Sequence, residues 1–436
     1  MITPLVGKQA ESVRLATARG NLWEGAVRSS KTICSIMRWL RYVRHGPAGP
    51  LLMVGKTERA LKRNVIDPIT EMVGTSRCRY RVGAGEVDLF GRTVYTAGAN
   101  DERAADKVKG MTLAGGYLDE VTTYPESFFR MFTTRLSIPG AQWFGTTNPE
   151  SKNHWLMRDF LTRASLHLTR TGQVLHLAGD DTLDLARFSF QLDDNPNLTA
   201  DYLAALKREH VGLFYKRYIL GEWCLAEGVV YDMWDPDRHV VDAMPYMRRW
   251  LCVGLDYGTV NPFAALLIGL GEDDRTYAVS EYRHDSRAAR RQLTDAQYSA
   301  GLQAWLADIQ RPGEHGQARG VEPEWILVDP SAASFMTQLW ADGVPNVARA
   351  RNDVLDGIRS VSVALGNDLF RAHSSCTGLL DELPSYAWDS KAAEQGEDSP
   401  IKRDDHSVDA LRYALHSTAH EWRDLTPKEW TLNAAA

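Results

Sequence analysis

Three aspartates in the C-terminal half, Asp256, Asp329 and Asp409, have the residue type and setting that divalent-metal chemistry requires. Asp256 ends the apolar run Trp250-Leu-Cys-Val-Gly-Leu-Asp256, and Asp329 ends another, Trp325-Ile-Leu-Val-Asp329. Asp409 belongs to a late helical segment that begins Asp404-Asp-His-Ser-Val-Asp409. Hard cations prefer oxygen ligands. Carboxylates drawn from two strands and a helix can hold two ions about 4 Å apart, activating water and stabilising a leaving oxygen. That is the chemistry of phosphodiester cleavage. On the helix, Asp405 and Asp409 stand at i, i+4 and His406 and Asp409 at i, i+3, so these side chains can share one face. Asp405 reads equally well as the helix N-cap or as a further metal ligand. His406 reads as a ligand, a proton carrier or a packing residue. Lys402 and Arg403, beside Gly396-Glu-Asp-Ser-Pro400, suit a loop that touches DNA phosphates or a solvated charged loop.

A second constellation lies upstream. In Gly25-Ala-Val-Arg-Ser-Ser-Lys-Thr32, the backbone of Gly25, Arg28, Ser29 and Ser30 would cradle the phosphates of ATP, while Lys31 reaches the β/γ-phosphates and Thr32 holds Mg²⁺. The usual form is G-x-x-x-x-G-K-S/T, and Ser30 stands where the second glycine belongs. If that position demands a positive φ, serine costs about 1 kcal/mol there. Alone, the stretch also reads as a polar turn capping the next helix. Leu118-Asp-Glu120 adds Asp119 for Mg²⁺ and Glu120 to orient or activate water, against a solvated strand end. Asn148, in Gly145-Thr-Thr-Asn-Pro149, suits a γ-phosphate sensor or a simple Asn-Pro turn. The three together, in this order, favour nucleotide hydrolysis. Gln9 could pair with an adenine edge, although an isolated N-terminal glutamine is more often exposed.

The elements that must position these residues follow from periodicity. From about Asn21 to Gly179 apolar strands alternate with helices: Leu51-Leu-Met-Val54 is a buried-strand run, Val87–Tyr95 a hairpin, and Ile33, Ile36, Met37, Leu40 and Val43 recur at helical spacing. The fold class expected is α/β, with a mostly parallel sheet covered on both faces. A phosphate-loop ATPase domain would span residues 1–180, and a connecting subdomain 181–245, with a helix from Thr199 to about Gly221. Residues 246–420 give strands at Trp250, Phe263–Leu270 and Thr276–Tyr282, a helix over Arg287–Gln310, then alternating strands and helices, the ribonuclease H-like order. Residues 421–436 read as a mobile tail. The 436 residues suggest two or three domains, and 44% hydrophobic residues is ordinary for a soluble protein. No apolar run approaches the roughly 20 residues of a membrane span, and the N-terminus lacks signal-peptide features. Five scattered cysteines argue against a disulfide framework or zinc ribbon. The net charge of −6 does not exclude nucleic acid, because metal-binding carboxylates offset a basic groove.

With both sites placed, the chain resembles the large terminase subunits, the DNA-packaging motors of tailed bacteriophages. The resemblance rests on Glu24–Thr32, Gly110–Glu120, Thr146-Thr-Asn-Pro149, Gly221-Glu-Trp223, Gly254-Leu-Asp-Tyr-Gly258 and Asp405-His-Ser-Val-Asp-Ala-Leu-Arg-Tyr413. It implies an N-terminal translocating ATPase using ATP and Mg²⁺, and a C-terminal Mg²⁺- or Mn²⁺-dependent endonuclease that cuts concatemeric viral DNA. Implied partners are double-stranded DNA, the portal protein and a small terminase subunit, without a membrane. The chain would be a monomer in solution and a ring on the portal. It would work in the cytoplasm of the infected bacterium and not remain in the mature virion. Where an arginine commonly precedes the Asp-Glu pair in this family, this chain has Lys109, a point charge without a planar fork. Arg28 and Arg103 are then the finger candidates, with Arg28 acting in cis preferred. A cellular DNA-repair helicase–nuclease is the alternative, but it would need further arginine-bearing motifs after the third ATPase strand. A nucleotide-gated structural protein with a dead nuclease is disfavoured by the intact aspartates.

Overall fold

The computed structural model describes residues 4–258, 261–312 and 318–429. They form two compact units: Met1–Leu203 with Leu213–Leu225 and Glu394–Glu397, and Ala204–Gly212 with Ala226–Ala393 and Asp398–Ala436.

The first unit holds β1 (Gly20–Gly25), β2 (Leu51–Gly55), β3 (Cys78–Arg81), β4 (Glu86–Leu89), β5 (Arg92–Gly98), β6 (Gly115–Leu118), β7 (Gln142–Thr147), β8 (Ala164–Leu168), β9 (Val174–His176) and β10 (Leu183–Phe190). Their order is β3-β4-β5-β2-β6-β7-β1-β10-β8-β9. The run from β5 to β8 is parallel, and antiparallel strands finish both ends. Successive strand residues point to opposite faces. Leu22, Leu52, Val54 and Leu118 therefore join one core with Phe128 and Trp143, while Trp23, Met53 and Tyr117 join the other with Trp39 and Phe144. Both faces are buried, which is why Leu51-Leu-Met-Val54 is apolar throughout rather than alternating. The Lys31–His45 helix buries Cys34, Ile36, Trp39, Leu40 and Val43 and exposes Met37.

Residues 181–245 are not a separate connection. Residues 183–190 form β10, which lies between β1 and β8, with Leu185, Ala186, Phe188 and Phe190 buried. The expected helix from Thr199 to Gly221 is also divided. Helix Ala200–Arg208 stops before Gly212, whose φ of 55° breaks the spiral, and a π-helical turn spans Tyr215–Ile219.

The second unit holds β11 (Val240–Val241), β12 (Met247–Asp256), β13 (Phe263–Gly271), β14 (Thr276–His284), β15 (Ile326–Val328), β16 (Val347–Arg349) and β17 (Phe370–His373), ordered β11-β17-β14-β13-β12-β15-β16. The antiparallel meander β12-β13-β14, with β15 added parallel to β12, is the ribonuclease H-like arrangement expected. On one face, Val253 and Leu255 pack with Tyr298, Leu302, Phe335 and Leu339. On the other, Gly254 admits the His406–Ser417 helix. A Cβ at Gly254 would come within 2.2 Å of the Ala410 carbonyl oxygen, so the absent side chain is what lets this helix reach the end of β12.

Three boundaries differ from expectation. β12 begins at Met247. The helix expected from Arg287 begins at Asp295, where Thr294 and Gln297 form a capping box, and residues 285–293 are irregular. The tail expected at 421–436 is docked over its described part: Trp422 is fully buried with its Nε1 donating to the Leu415 carbonyl at 3.1 Å, and the Lys428 N–H donates to the Asp273 carbonyl at 2.9 Å. Residues 430–436 lie outside the described residues. Among the described residues no helix is long and apolar enough to cross a membrane.

Asp368 ties this unit together at its edge, accepting from Arg275 Nη2 at 2.6 Å, Arg238 Nε at 3.0 Å and Arg371 Nη2 at 2.5 Å. Burial alone would raise its pKa, yet the Arg275 and Arg371 guanidinium groups pull it down to about 2. A depressed folded-state pKa means stabilisation that is present above about pH 4 and is lost as the pH falls to about 2. Asp368→Asn should therefore cost about 1 kcal/mol at pH 7, allowing for solvent screening. Urea titrations should show the difference vanishing near pH 2. A constant difference across that range would mean that the charge is not the cause.

Candidate active sites

The loop after β1 is held from behind. The Ala26 N–H donates to the Phe190 carbonyl and the Val27 N–H to the Tyr218 carbonyl, both at 2.9 Å. Gly25 has φ 129°, and a Cβ there would lie 1.9 Å from the Phe190 carbonyl oxygen, so no other residue fits. The Gly221-Glu-Trp223 motif braces the same loop, because the Trp223 indole donates to Glu24 Oε2 at 2.9 Å. Ser30 has φ 74° and Arg28 φ 56°. The glycine-like conformation is thus retained with a serine in it, at the cost of about 1 kcal/mol that such a side chain implies.

Lys31 is only 6% exposed. Its Nζ donates to the Gly25 carbonyl at 3.0 Å and to Asn148 Oδ1 at 3.1 Å. Burial brings its pKa down to about 8, against the opposing pull of Glu120, Glu24 and Asp119. Asn148 Nδ2 in turn donates to Glu120 Oε2 at 3.1 Å, so one amide joins the cation to the carboxylate. Burial and the adjacent Asp119 charge lift Glu120 to about 7, partly offset by Lys31. A carboxyl poised near neutrality suits a general base. Asp119 accepts from Thr146 Oγ1 and Asn64 Nδ2, each at 3.1 Å, and burial raises its pKa.

Lys31, Asp119 and Glu120 line a cavity of about 730 Å³ with Arg28, Ser29, Ser30 and Thr32. Gln9 also lines it and, contrary to expectation, is buried, its Nε2 donating to the Asp194 carbonyl at 2.9 Å. Arg103 is exposed outside this lining, whereas Arg28 lies within it. Among the cavity residues that escaped the sequence reading are Arg63 and Asn64. They sit on a π-helical turn, Lys62–Ile66, after β2, and Arg63 Nε donates to Asn64 Oδ1 at 3.2 Å. Local π-turns carry no periodic signal but recur at functional sites.

The second site is at the end of β12. Asp256 Oδ2 meets His406 Nδ1 at 2.9 Å. Burial raises the Asp256 pKa, and the His406 hydrogen bond works against this. Burial would lower His406, but its hydrogen bond to Asp256 and the carboxylates around it raise it instead. Asp409 is enclosed by cations. Its Oδ1 accepts from Arg412 Nη2 at 2.9 Å and Nε at 3.1 Å, and its Oδ2 faces Lys402 Nζ at 3.2 Å. Asp256, Asp405, His406 and Asp409 line one cavity of about 370 Å³ with Lys402 and Arg287. Asp329 is outside that lining. Its N–H donates to the Leu255 carbonyl at 3.1 Å, which sets it beside Asp256 at the ends of neighbouring strands, while Ser331 Oγ donates to its carboxylate at 2.7 Å.

Among the described residues, no three acidic, histidine or cysteine side chains are gathered closely enough to hold an ion. The expected trio of Asp256, Asp329 and Asp409 is therefore adjacent without being assembled. Clustered buried carboxylates repel unless cations neutralise them, and here Lys402 and Arg412 do so, while His406 hydrogen-bonds Asp256. The donor set is all hard oxygen plus one imidazole, which fits Mg²⁺ or Mn²⁺. Arg412, at i+3 from Asp409 in a motif already noted, was a signal that the sequence reading passed over. Thr259, next to Tyr257-Gly258, lies outside the described residues.

No family model matches the chain. It is 25% identical over 236 residues to the terminase large subunit of Escherichia phage T5, a match spanning 51% of this chain and 50% of that protein. The solved large terminase of a thermophilic bacteriophage is 35% identical, with a TM-score of 0.78 over 96% of this chain and 100% of that one. The same phage protein in complex with ADP is 35% identical with a TM-score of 0.76, covering 94% of this chain and 99% of its own. Its complex with ATP-γ-S is 34% identical with a TM-score of 0.76, over 95% and 100%. Identity at this level along nearly the whole length of both chains means that the chain belongs to the large terminase family.

Proposed function

We propose that the chain is a viral DNA-packaging motor subunit: ATP hydrolysis in the first unit drives double-stranded DNA into a procapsid, and the second unit cuts concatemeric DNA. What carries this reading is the linked Lys31–Asn148–Glu120 chain, whose two end residues line a nucleotide-sized cavity, on the same polypeptide as the Asp256–His406–Asp409 cluster. In the ATPase, Lys31 would exchange its carbonyl partners for the β/γ-phosphates, and Arg28 would offset charge developing on the γ-phosphate. Thr32 and Asp119 would hold Mg²⁺. Glu120 would take the proton of the attacking water, with Asn148 fixing its carboxylate. In the nuclease, Asp256, Asp329 and Asp409 would hold Mg²⁺ or Mn²⁺, which when bound supplies the activated water and stabilises the leaving oxygen. His406, hydrogen-bonded to Asp256, is placed to orient that carboxylate or move a proton.

Family membership supports the portal protein and a small terminase subunit as partners, a ring of subunits on the portal, and action in the cytoplasm of the infected bacterium. The direct test is DNA-stimulated phosphate release and plasmid cleavage by the purified chain, followed by packaging into procapsids bearing their portal. A chain that neither hydrolyses ATP nor cuts DNA with Mg²⁺ or Mn²⁺ would overturn the proposal.

Glu120→Gln tests the base. The amide oxygen can still accept from Asn148, but the side chain can no longer take a proton. Binding of ATP with Mg²⁺ should change little, and turnover should fall about 10²–10⁴-fold. A variant that loses nucleotide binding would give Glu120 a structural role.

A further inference from the structure

Asp405 stands at the N-cap position of the His406–Ser417 helix, where an aspartate ordinarily accepts from the N–H two or three residues on. Here it makes no such hydrogen bond, and its φ of −125° and ψ of 11° depart from the extended backbone usual for a cap. The helix amides have another partner. Glu382, at the end of the Thr377–Glu382 helix, accepts the Ser407 N–H at 2.7 Å and the Val408 N–H at 3.1 Å through Oε2. Glu382 is 4% exposed, and its Oε1 takes Arg283 Nη1 at 2.6 Å.

The consequence falls on Asp405. It is 6% exposed, lines the same cavity as Asp256 and Asp409, and its Oδ2 is buried without a hydrogen-bond partner. An unpaired buried carboxylate oxygen is unfavourable and persists where something else needs it. The nearest positive charge, Lys402 Nζ, lies 3.6 Å from that oxygen and 3.2 Å from Asp409 Oδ2. The half-exposed Lys402 is thus shared by two carboxylates, of which Asp409 also holds Arg412.

We infer that Asp405 is a divalent-metal ligand of the nuclease site, and that Glu382 is a positioning residue that caps the helix in its place. The inference rests on the nuclease reading proposed above. Capping from a neighbouring helix leaves Asp405 free to turn its unpaired oxygen to a metal shared with Asp409, once Lys402 moves aside. Without Glu382, the uncapped Ser407 and Val408 amides would draw the Asp405 side chain into its ordinary capping role.

Mn²⁺ binding by the full-length chain, followed without DNA by the electron paramagnetic resonance of free Mn²⁺, reads the ligands rather than turnover. Asp405→Asn should weaken binding about 10-fold or more. Glu382→Ala should weaken it similarly, and the double variant should bind no more weakly than Asp405→Asn alone, because both act through one carboxylate. Glu382→Gln, whose amide oxygen can still accept from both N–H groups, should stay within about two-fold of the parent. Wild-type affinity in Asp405→Asn overturns the inference, as do losses that multiply in the double variant. If Glu382→Ala does not fold by circular dichroism, Asp405→Asn and Glu382→Gln decide the question. Asp256→Asn is the control for the underlying reading: unaltered Mn²⁺ binding there would count against the nuclease site itself, whereas an effect there but none in Asp405→Asn would sink this inference alone.

Discussion

Lys31→Ala should reduce ATP hydrolysis to background while DNA cleavage continues. The ammonium sits under the loop, bonded to the Gly25 carbonyl and Asn148 and facing the Glu120 carboxylate. It is positioned to be handed from backbone oxygens to phosphates. Alanine removes the charge that would meet the β/γ-phosphates and leaves Glu120 and Asp119 without their nearest counter-charge. Incoming triphosphate would then face two carboxylates unopposed. Losing one preorganised donor at developing charge costs about 10²–10³-fold in turnover, and the loss of ground-state phosphate binding adds to it. The fold should tolerate the change, since burying this side chain already costs enough to bring its pKa down to about 8. Phosphate release at saturating ATP, beside a plasmid-cleavage assay on the same preparation, checks both halves. Parental ATP turnover in the variant would remove Lys31 from the site.

Signals that are local in sequence carried most of this architecture. A continuous apolar run bounded by turns identifies β2, and an acid closing such a run identifies the positions of Asp119, Asp256 and Asp329. What was illegible depends on distant partners. The segment Leu183–Phe190 has strand-like alternation, but only pairing with β1, far earlier in the chain, makes it part of the ATPase sheet. Gln9 is buried because the Asp194 carbonyl and the cavity close over it, which no pattern near residue 9 encodes. Glu382 displaces Asp405 from its cap through a contact 25 residues away in sequence, so the open choice between cap and ligand could not be resolved from the helix alone. The late start of one helix, like Arg412, was legible. Thr294-Asp-Ala-Gln297 carries the capping-box pattern that starts the helix at Asp295, well after the start expected at Arg287.

Asp256→Asn should abolish DNA cleavage and spare ATP hydrolysis. Asp256 closes β12, with Asp329 beside it on the neighbouring strand end and the His406–Ser417 helix pressed against Gly254 behind it. It is therefore the carboxylate from which metals could be shared with both Asp329 and Asp409. Asparagine keeps the shape and can still hydrogen-bond His406, but it removes the charge that offsets two divalent cations. Metal stabilisation of the reacting oxygens is worth several kcal/mol. At about 1.4 kcal/mol per decade, that predicts a fall in cleavage on the order of 10³-fold. The variant should fold at least as well as the parent, because burial already makes ionised Asp256 unfavourable, as its raised pKa indicates. DNA binding should weaken little, since lysine and arginine contacts to phosphates carry most of such affinity. The ATPase rate should stay near that of the parent, because Lys31, Asp119 and Glu120 belong to the other compact unit. Plasmid nicking with Mg²⁺ and with Mn²⁺, phosphate release and DNA binding at fixed salt measure all three. Cleavage that survives the substitution would take the nuclease away from this end of β12. Loss of both activities together would point to a damaged fold rather than a missing ligand.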